Sequence, residues 1–187
     1  MVKVAIVCEG KNDRDFLQAL ISHLGLAVVN QINFYIFRGK SELLNPDHDR
    51  YLDDLKLEIE AGQISKILFV VDADNDESDA IKGGYENTQT ALDALMAKLD
   101  VITISQSHIF CDPKTKLGYL ESFVLSTISE AEKNCIERFL ECSQFHSKES
   151  HKAILNQIYK TAYPKAPYNF SHPNFEPLKA VLTQLFT

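Results

Sequence analysis

Short, almost wholly apolar segments alternate with helix-like segments through residues 1–112 of the chain. Apolar runs of this kind are typical of strands that are covered on both faces, as in a parallel sheet. The segments between them repeat apolar residues at helical spacing. The alternation therefore predicts an α/β fold, with a mainly parallel sheet flanked by helices. The predicted strands are residues 4–8, 32–37 and 66–71, and residues 101–105 and 107–111 supply one or two more. The first predicted helix begins at Asn12 or Asp13 and is ended by Gly25, and two further helices cover 49–61 and 87–99.

Acidic residues follow two of these strands at the point where each strand ends. Glu9 comes directly after the first strand, and Asp72 and Asp74 come directly after the third. Ligands of open parallel sheets bind outside the carboxyl ends of the strands. Residues two apart on a strand share a face, so Asp72 and Asp74 should point the same way. If the two strands are neighbours, three carboxylates converge there.

A divalent cation would explain why such acids are placed together. Unpaired carboxylates at close range repel one another and resist joint ionisation. Mg²⁺ prefers oxygen ligands and removes this repulsion. Gly10 follows Glu9, and we expect it to let the backbone turn sharply and to let a phosphate or a metal approach closely.

Two sequence motifs resemble those of the Toprim family of topoisomerases, bacterial primases, ribosomal-RNA maturases and overcoming-lysogenization-defect nucleases. "EGKND" matches Glu-Gly-x-x-Asp after a first strand, and "VVDAD" matches Asp-x-Asp after a later one. The resemblance covers roughly residues 2–112 and implies a Toprim-like, Rossmann-like core. It also implies Mg²⁺ or Mn²⁺ as the cofactor. The roles that it implies are Glu9 as general acid/base or metal ligand, Asp72 and Asp74 as metal ligands, and Asp13 as the second acid of the first motif.

A resemblance to the stand-alone Toprim-like proteins catalogued as domain of unknown function 3226 covers nearly the whole chain. It is carried by "FCDPKTKLGYLESFVL" and "SKESHKAILNQIY". Those proteins have Gly-x-Leu-Glu-Asp after the last core strand, and here the stretch runs from Gly118 through Glu121 to Ser122. The resemblance implies Glu121 as a further metal ligand. Ser122 replaces the second acid, so no role is assigned to it.

Structural roles compete with these functional ones. Asp13 is favoured as the N-cap of the first helix. Asp72 and Asp74 are also ordinary turn residues, and Glu121 would be stabilised by the dipole at a helix start. Arg38 and Lys40 follow the second strand and either clamp a phosphate or belong to a solvated turn. A further set of acids, Asp76, Glu77 and Asp79, is interpreted as solvated loop charges.

Composition limits the class of partner. The net charge of −7 excludes a protein held on nucleic acid by charge alone, so any such contact must be local or bridged by metal ions. No apolar run is long enough for a membrane span, and no signal peptide is evident, so we expect a cytoplasmic protein. The four cysteines have neither zinc-site spacing nor a CxxC pair and are interpreted as reduced, mostly buried thiols.

Three functions fit this pattern. The first is Mg²⁺-dependent phosphoryl transfer on DNA or RNA, above all by a nuclease, with Glu9 shuttling the proton. The second is a non-catalytic module that binds a nucleotide or an RNA end, for example in a defence complex; the acidic composition favours it. The third is a phosphoacceptor receiver domain, against which Glu9-Gly10 argues. Topoisomerase or primase activity would need further domains, and whether the chain forms a homodimer is left open.

Residues 113–187 have a different character from the α/β core predicted for residues 1–112. They read as three helices, at 118–145, 148–160 and 174–186, with apolar residues at helical spacing. We expect this extension to pack on the core as a contiguous cap. Glu121, close in sequence to the last strand, would then lie near the same sheet edge as Asp72.

Overall fold

The computed structural model describes residues 3–26, 31–74, 83–143, 154–158, 160–161 and 168–187. Its centre is a four-stranded, fully parallel sheet with the strand order β2-β1-β3-β4. The α/β class and the parallel sheet are thus confirmed. The strands are β1 (Lys3–Cys8), β2 (Ile32–Ile36), β3 (Ile64–Asp72) and β4 (Ser105–Phe110).

Helices flank the sheet on both faces. In chain order they are α1 (Lys11–His23), α2 (Lys40–Leu43), α3 (Lys56–Glu60), α4 (Tyr85–Lys98), α5 (Leu120–Leu125), α6 (Glu130–Ser143), α7 (154–158) and α8 (Glu176–Phe186). A π-helical turn, Arg50–Leu55, runs directly into α3, and single 3-10 turns occupy Ile102–Ile104 and Pro173–Phe175. No helix in the described ranges has the length and apolarity needed to cross a membrane.

Alternate residues of the strands belong to two separate apolar clusters, one on each face of the sheet, because successive side chains of a strand point to opposite faces. Ala5, Val7 and Phe69 pack with the helices of the chain's first half, α2 to α4. Val4, Ile6, Leu68, Val70 and Phe110 pack with α1 and with the C-terminal helices. The C-terminal members of this second cluster are Leu120, Phe123, Val124, Leu125, Leu140, Leu155, Phe170, Phe175, Leu178, Leu182 and Leu185. The C-terminal segment therefore shares one core with the sheet.

The structure settles one open detail of the predicted elements and corrects another. The stretch 101–111 is one strand preceded by a 3-10 turn, and 118–145 is not one helix but two, separated between Ser126 and Ser129. Ser129 and Glu132 form a capping box: the amide and hydroxyl of Ser129 both donate to Glu132 Oε2, and the Glu132 amide donates to Ser129 Oγ. This box starts α6. The predicted helix at 148–160 lies partly outside the described residues.

The cysteines also differ from the expectation of mostly buried thiols. Cys8 and Cys111 are buried, whereas Cys135 and Cys142 are exposed on α6. Their spacing of seven residues puts them on one face of that helix, and the face is turned to solvent.

Candidate functional site

Glu9 and Asp72 meet at the carboxyl edge of the sheet. β1 and β3 are neighbouring parallel strands, with Cys8 opposite Val70, so both chains leave the sheet side by side. Glu9 Oε1 accepts a hydrogen bond of 2.7 Å from the backbone N–H of Asp72. An ionised acceptor makes this bond stronger than one between neutral groups. The Glu9 carboxylate is thereby held at the end of β3 although the residue belongs to the end of β1.

Asp72 connects the same edge to the C-terminal helices. Asp72 lies an even number of positions from Leu68 and Val70 along β3. Its side chain therefore points to the same face of the sheet, which α5 covers. Asp72 is only 5% exposed, and its Oδ1 accepts a hydrogen bond of 2.9 Å from the N–H of Leu120, the first residue of α5. A carboxylate at this place satisfies a helix amide that has no partner within the helix.

Glu121 is brought to this edge by the Asp72–Leu120 bond, because it is the next residue of α5. It is 8% exposed, and its Oε1 accepts a hydrogen bond of 3.3 Å from Asn156 Nδ2 of α7. The Tyr168 hydroxyl is also close: burial first, and then the charge of Glu121, raise the pKa of Tyr168. Glu121 thus lies between the sheet edge and the C-terminal segment.

Asp74 does not continue the strand pattern. β3 ends at Asp72, and Asp74 has a left-handed backbone with φ of 61°. Its backbone pairs with that of Gly118, through N–H to O bonds of 2.8 and 3.0 Å. The expectation that Asp72 and Asp74 point the same way required an extended backbone at both residues. It is wrong, because the backbone of Asp74 is left-handed. Asp72 is bound to α5, whereas Asp74 Oδ2 lies 3.3 Å from Lys40 Nζ.

Gly118 is the residue that makes this pairing possible. Its φ is +95°, which side-chain-bearing residues rarely adopt, and a Cβ there would lie 2.3 Å from Ser122 Oγ and 2.8 Å from Ser122 Cβ. The glycine of the Gly-Tyr-Leu-Glu-Ser stretch is therefore required by the fold.

Lys40 is one of the two side chains predicted to clamp a phosphate, and its ammonium points into the fold. Its side chain is 9% exposed, and Nζ donates to the Ala73 carbonyl at 2.9 Å and to Thr88 Oγ1 at 2.7 Å, besides its ion pair with Asp74. The other predicted ligand, Arg38, is exposed beyond the end of β2, and its backbone N–H is bound to Glu42 Oε2.

Asp13 and Gly10 form the start of α1. The N-cap is Gly10, not Asn12 or Asp13 as expected; Asp13 is the third helical residue, and its Oδ2 accepts a hydrogen bond of 2.8 Å from the Gly10 N–H. Gly10 has an extended backbone, and a Cβ would meet only Asp13 Oδ2, at 3.7 Å. The sharp turn expected at Gly10 is thus absent, and the fold itself does not require a glycine there.

Two buried groups were missed by sequence reasoning. Thr88, in the first turn of α4, is fully buried and donates to Gly84 O at 2.7 Å while it binds Lys40. Asp112 is 5% exposed; its carboxylate binds the amides of Lys114 and Thr115 and the ammonium of Lys133. The Asp-Pro dipeptide after β4 is a turn signal that could have indicated Asp112; no comparable signal marks Thr88.

The protein environment shifts the pKa values of Cys8 and Asp112 in opposite directions. Burial raises the pKa of the Cys8 thiol to about 12, with the charge of Asp13 adding to the effect, so this thiol is neutral beside Glu9. Burial also pushes the pKa of Asp112 upward, but the hydrogen bonds from Lys133 and from the Lys114 and Thr115 amides outweigh it and lower the pKa overall. Asp112 is consequently an ionised residue that orders its loop.

The donor chemistry at this edge suits a hard cation, because Glu9, Asp72, Asp74 and Glu121 all offer carboxylate oxygens. Among the described residues, however, no group of three or more His, Cys, Asp or Glu side chains is gathered closely enough to hold a metal ion. The four acids lie at one edge of the sheet, but each is bound to a different partner. Backbone amides bind Glu9 and Asp72. Asn156 binds Glu121, and Lys40 binds Asp74. The loop acids Asp76, Glu77 and Asp79 lie outside the residues that the structure describes.

Comparison with known proteins gives one match. A family model described as a protein of unknown function, DUF3226, matches residues 3–167. No curated protein and no solved structure is significantly similar to the chain. The match spans the whole sheet, α5 and α6, and therefore includes every acid described at the sheet edge.

Proposed function

The chain belongs to the DUF3226 family, whose description assigns no function, and we propose that it is a small Toprim-type enzyme that transfers phosphoryl groups in nucleic acid with the help of Mg²⁺. The reaction that we expect first is hydrolysis of a phosphodiester bond, as in a nuclease. Both the affiliation with Toprim proteins and the use of a metal are part of this proposal.

One observation carries the proposal. Glu9 directly follows β1, and Asp72 ends the neighbouring parallel strand β3. The Glu9 carboxylate accepts a 2.7 Å hydrogen bond from the Asp72 backbone at the sheet edge where parallel α/β proteins bind ligands. Asp72 in turn binds Leu120, the residue before Glu121. Acids on three separate segments are therefore anchored at one rigid edge, which is where catalytic groups need to be held.

The proposed roles follow from these positions. Asp72, Glu121 and Asp74 would hold Mg²⁺ or Mn²⁺, with Asp13 as a further acid behind Gly10. A bound divalent ion supplies charge neutralisation at phosphate and makes a water molecule more acidic. Glu9 would exchange the proton with the attacking water. Gly10, whose bare backbone the fold does not require, leaves room for a phosphate, and the exposed Arg38 could pair with a neighbouring one.

A second candidate is a module that binds a nucleotide or an RNA end without cleaving it. It is favoured by the present arrangement of the acids, because no three of them among the described residues are gathered around a common point. A site of this kind would need only to recognise phosphate and would not have to assemble a metal for chemistry.

Cleavage of labelled single- and double-stranded DNA and RNA by the purified chain tests the proposal. The reactions contain Mg²⁺, Mn²⁺ or EDTA, and the variants are Glu9→Gln and Asp72→Asn. Matched controls are Glu60→Gln and Asp53→Asn, which change exposed residues on α3 and on the π-helical turn that precedes it.

We expect cleavage with either metal, none with EDTA, and losses of at least about 100-fold in Glu9→Gln and Asp72→Asn but not in the controls. Binding without cleavage by the wild-type chain would favour the second candidate. Cleavage that survives in both variants would rule out the site.

A further inference from the structure

The ammonium group of Lys40 occupies a pocket of oxygen atoms at the carboxyl edge of the sheet. It lies 2.9 Å from the Ala73 carbonyl, 2.7 Å from Thr88 Oγ1 and 3.3 Å from Asp74 Oδ2. The side chain is 9% exposed, and the Asp74 side chain is 25% exposed. Lys40 is therefore a largely desolvated cation rather than a surface lysine.

The three oxygen atoms come from segments that the fold places independently. Ala73 and Asp74 follow β3, Thr88 is in the first turn of α4, and Lys40 itself begins α2. A backbone carbonyl, a carboxylate and a hydroxyl are also the kind of ligands that a hard metal ion takes in proteins. The ammonium thus fills a position that has the chemistry of a cation site.

Asp74 is the charged member of this set and is fixed from two sides. Its left-handed backbone, with φ of 61°, is held by both hydrogen bonds to Gly118. Its carboxylate is compensated by Lys40 at 3.3 Å. A non-glycine residue in this conformation needs such support, because the conformation is unfavourable on its own.

We propose that Lys40 is a built-in cation, which neutralises Asp74 and takes the place that a divalent ion would otherwise occupy among Ala73, Asp74 and Thr88. Lys40 is thus a positioning residue. The inference deepens the proposed function, on which it rests, and revises it at one residue. Asp72 and Glu121 would serve the divalent ion, with Glu9 still exchanging the proton, whereas Asp74 would reach an ion only after Lys40 is removed.

Counting bound Mn²⁺ by equilibrium dialysis of the full chain tests this inference. The variants are Lys40→Ala, which removes the charge and vacates the space, Lys40→Arg, which keeps a cation, and the double variant Lys40→Ala/Asp74→Asn. The matched control is Lys98→Ala, because Lys98 Nζ also lies 3.3 Å from an aspartate, Asp47 Oδ2, but in a pair that is exposed.

We expect Lys40→Ala to bind about one Mn²⁺ per chain more than the wild type, because the vacated oxygen ligands and the uncompensated carboxylate suit a divalent ion. Adding Asp74→Asn should abolish the gain, and Lys40→Arg and Lys98→Ala should show none. No gain in Lys40→Ala, or a gain that persists without the Asp74 carboxylate, would overturn the inference.

The wild-type count separates this inference from the proposed function. A wild type that binds no Mn²⁺ contradicts the metal-dependent enzyme, while a gain in Lys40→Ala still supports the built-in cation. If Lys40→Ala does not fold without metal, Lys40→Ser, which retains a hydroxyl, is used beside it, and cooperative melting is followed with and without Mn²⁺. Restoration of folding by Mn²⁺ supports the inference, and variants that stay unfolded in excess Mn²⁺ overturn it.

Discussion

The Glu9 carboxylate reaches across from the end of β1 and accepts the backbone N–H of Asp72 at 2.7 Å. The Glu9 side chain, which is a candidate catalytic group, thus also has a structural role in the hydrogen bonding of the sheet edge. Substitutions at Glu9 must therefore be chosen so that loss of the acid is distinguished from loss of this bond.

Replacing Glu9 by glutamine or by alanine makes that distinction. Glu9→Gln keeps an oxygen acceptor for the Asp72 amide and should change the free energy of unfolding by less than about 1 kcal/mol. Glu9→Ala leaves the amide without this acceptor and should cost about 1.5–3 kcal/mol, the usual value for a hydrogen bond to a charged group. Urea unfolding of both variants measures the difference; equal costs would show that the bond contributes nothing to stability.

Divalent cations should raise the thermal midpoint if the edge binds metal. A ligand at about 100 times its dissociation constant stabilises the folded state by about 2.7 kcal/mol, which corresponds to about 5–10 °C for a chain of this size. Asp72→Asn, which keeps an acceptor for the Leu120 amide, should abolish the shift, while Asp53→Asn should retain it. Scanning calorimetry with Mg²⁺, Mn²⁺ and EDTA is the measurement, and identical wild-type curves in all three would contradict a metal site.

Gly118→Ala should be much more harmful than a comparable change elsewhere. The new Cβ would collide with Ser122, in addition to the cost of φ at +95°, so we expect a loss of at least about 2 kcal/mol. Gly62→Ala is the matched control, because φ is +67° there and nothing lies within 4 Å of the added Cβ; it should cost about 1 kcal/mol. Adding Ser122→Gly to Gly118→Ala should recover part of the loss, and no recovery would mean that the collision is not its cause.

His108 should make the protein less stable in mild acid. Burial lowers the pKa of His108 from 6.5 to about 4, and its Nε2 has no hydrogen-bond partner among the described residues while the ring packs on Phe110 and Phe123. Because the unfolded chain takes up this proton first, stability is lost as the pH falls from about 6.5 towards 4, by about 2 kcal/mol at pH 5.

His108→Leu should remove this loss, and His23→Leu, at an exposed position, should not. Urea unfolding at pH 7.5 and pH 5 compares the two variants with the wild type. Asp112 does not interfere in this range: its lowered pKa gives stability that is lost only when the pH falls below its ordinary value of 3.8. Equal pH dependence in wild type and His108→Leu would exclude His108 as the cause.

Truncation after Pro113 should give a fragment that aggregates. The sheet residues Val4, Ile6, Leu68 and Val70 share a cluster with apolar residues of the C-terminal helices, so the cut exposes one face of the sheet. Size-exclusion chromatography and thermal melting of residues 1–113 test this expectation. A monomeric fragment with a cooperative transition would show that the C-terminal segment is a separable unit.

The sequence was most informative where local rules decide the structure. Apolar runs located the strands, and the rule for carboxyl ends located Glu9 and Asp72 at one edge. It was least informative where distant segments decide. The end of β3 depends on the pairing of Asp74 with Gly118, and the direction of Lys40 depends on Ala73 and Thr88, so neither could be derived from neighbouring residues. The break before α6 was missed although a local rule decides it, because the Ser129–Glu132 capping box can be recognised in the sequence.

Asp72 ends β3 and also binds the first amide of α5. The carboxyl edge of the sheet and the C-terminal helices are for this reason thermodynamically linked through one carboxylate. Any agent that alters the free energy of its bond to Leu120, whether a proton or a bound ion, alters the stability of the C-terminal helices by the same amount. By reciprocity, whatever tightens those helices changes the affinity of Asp72 for that agent by an equal factor.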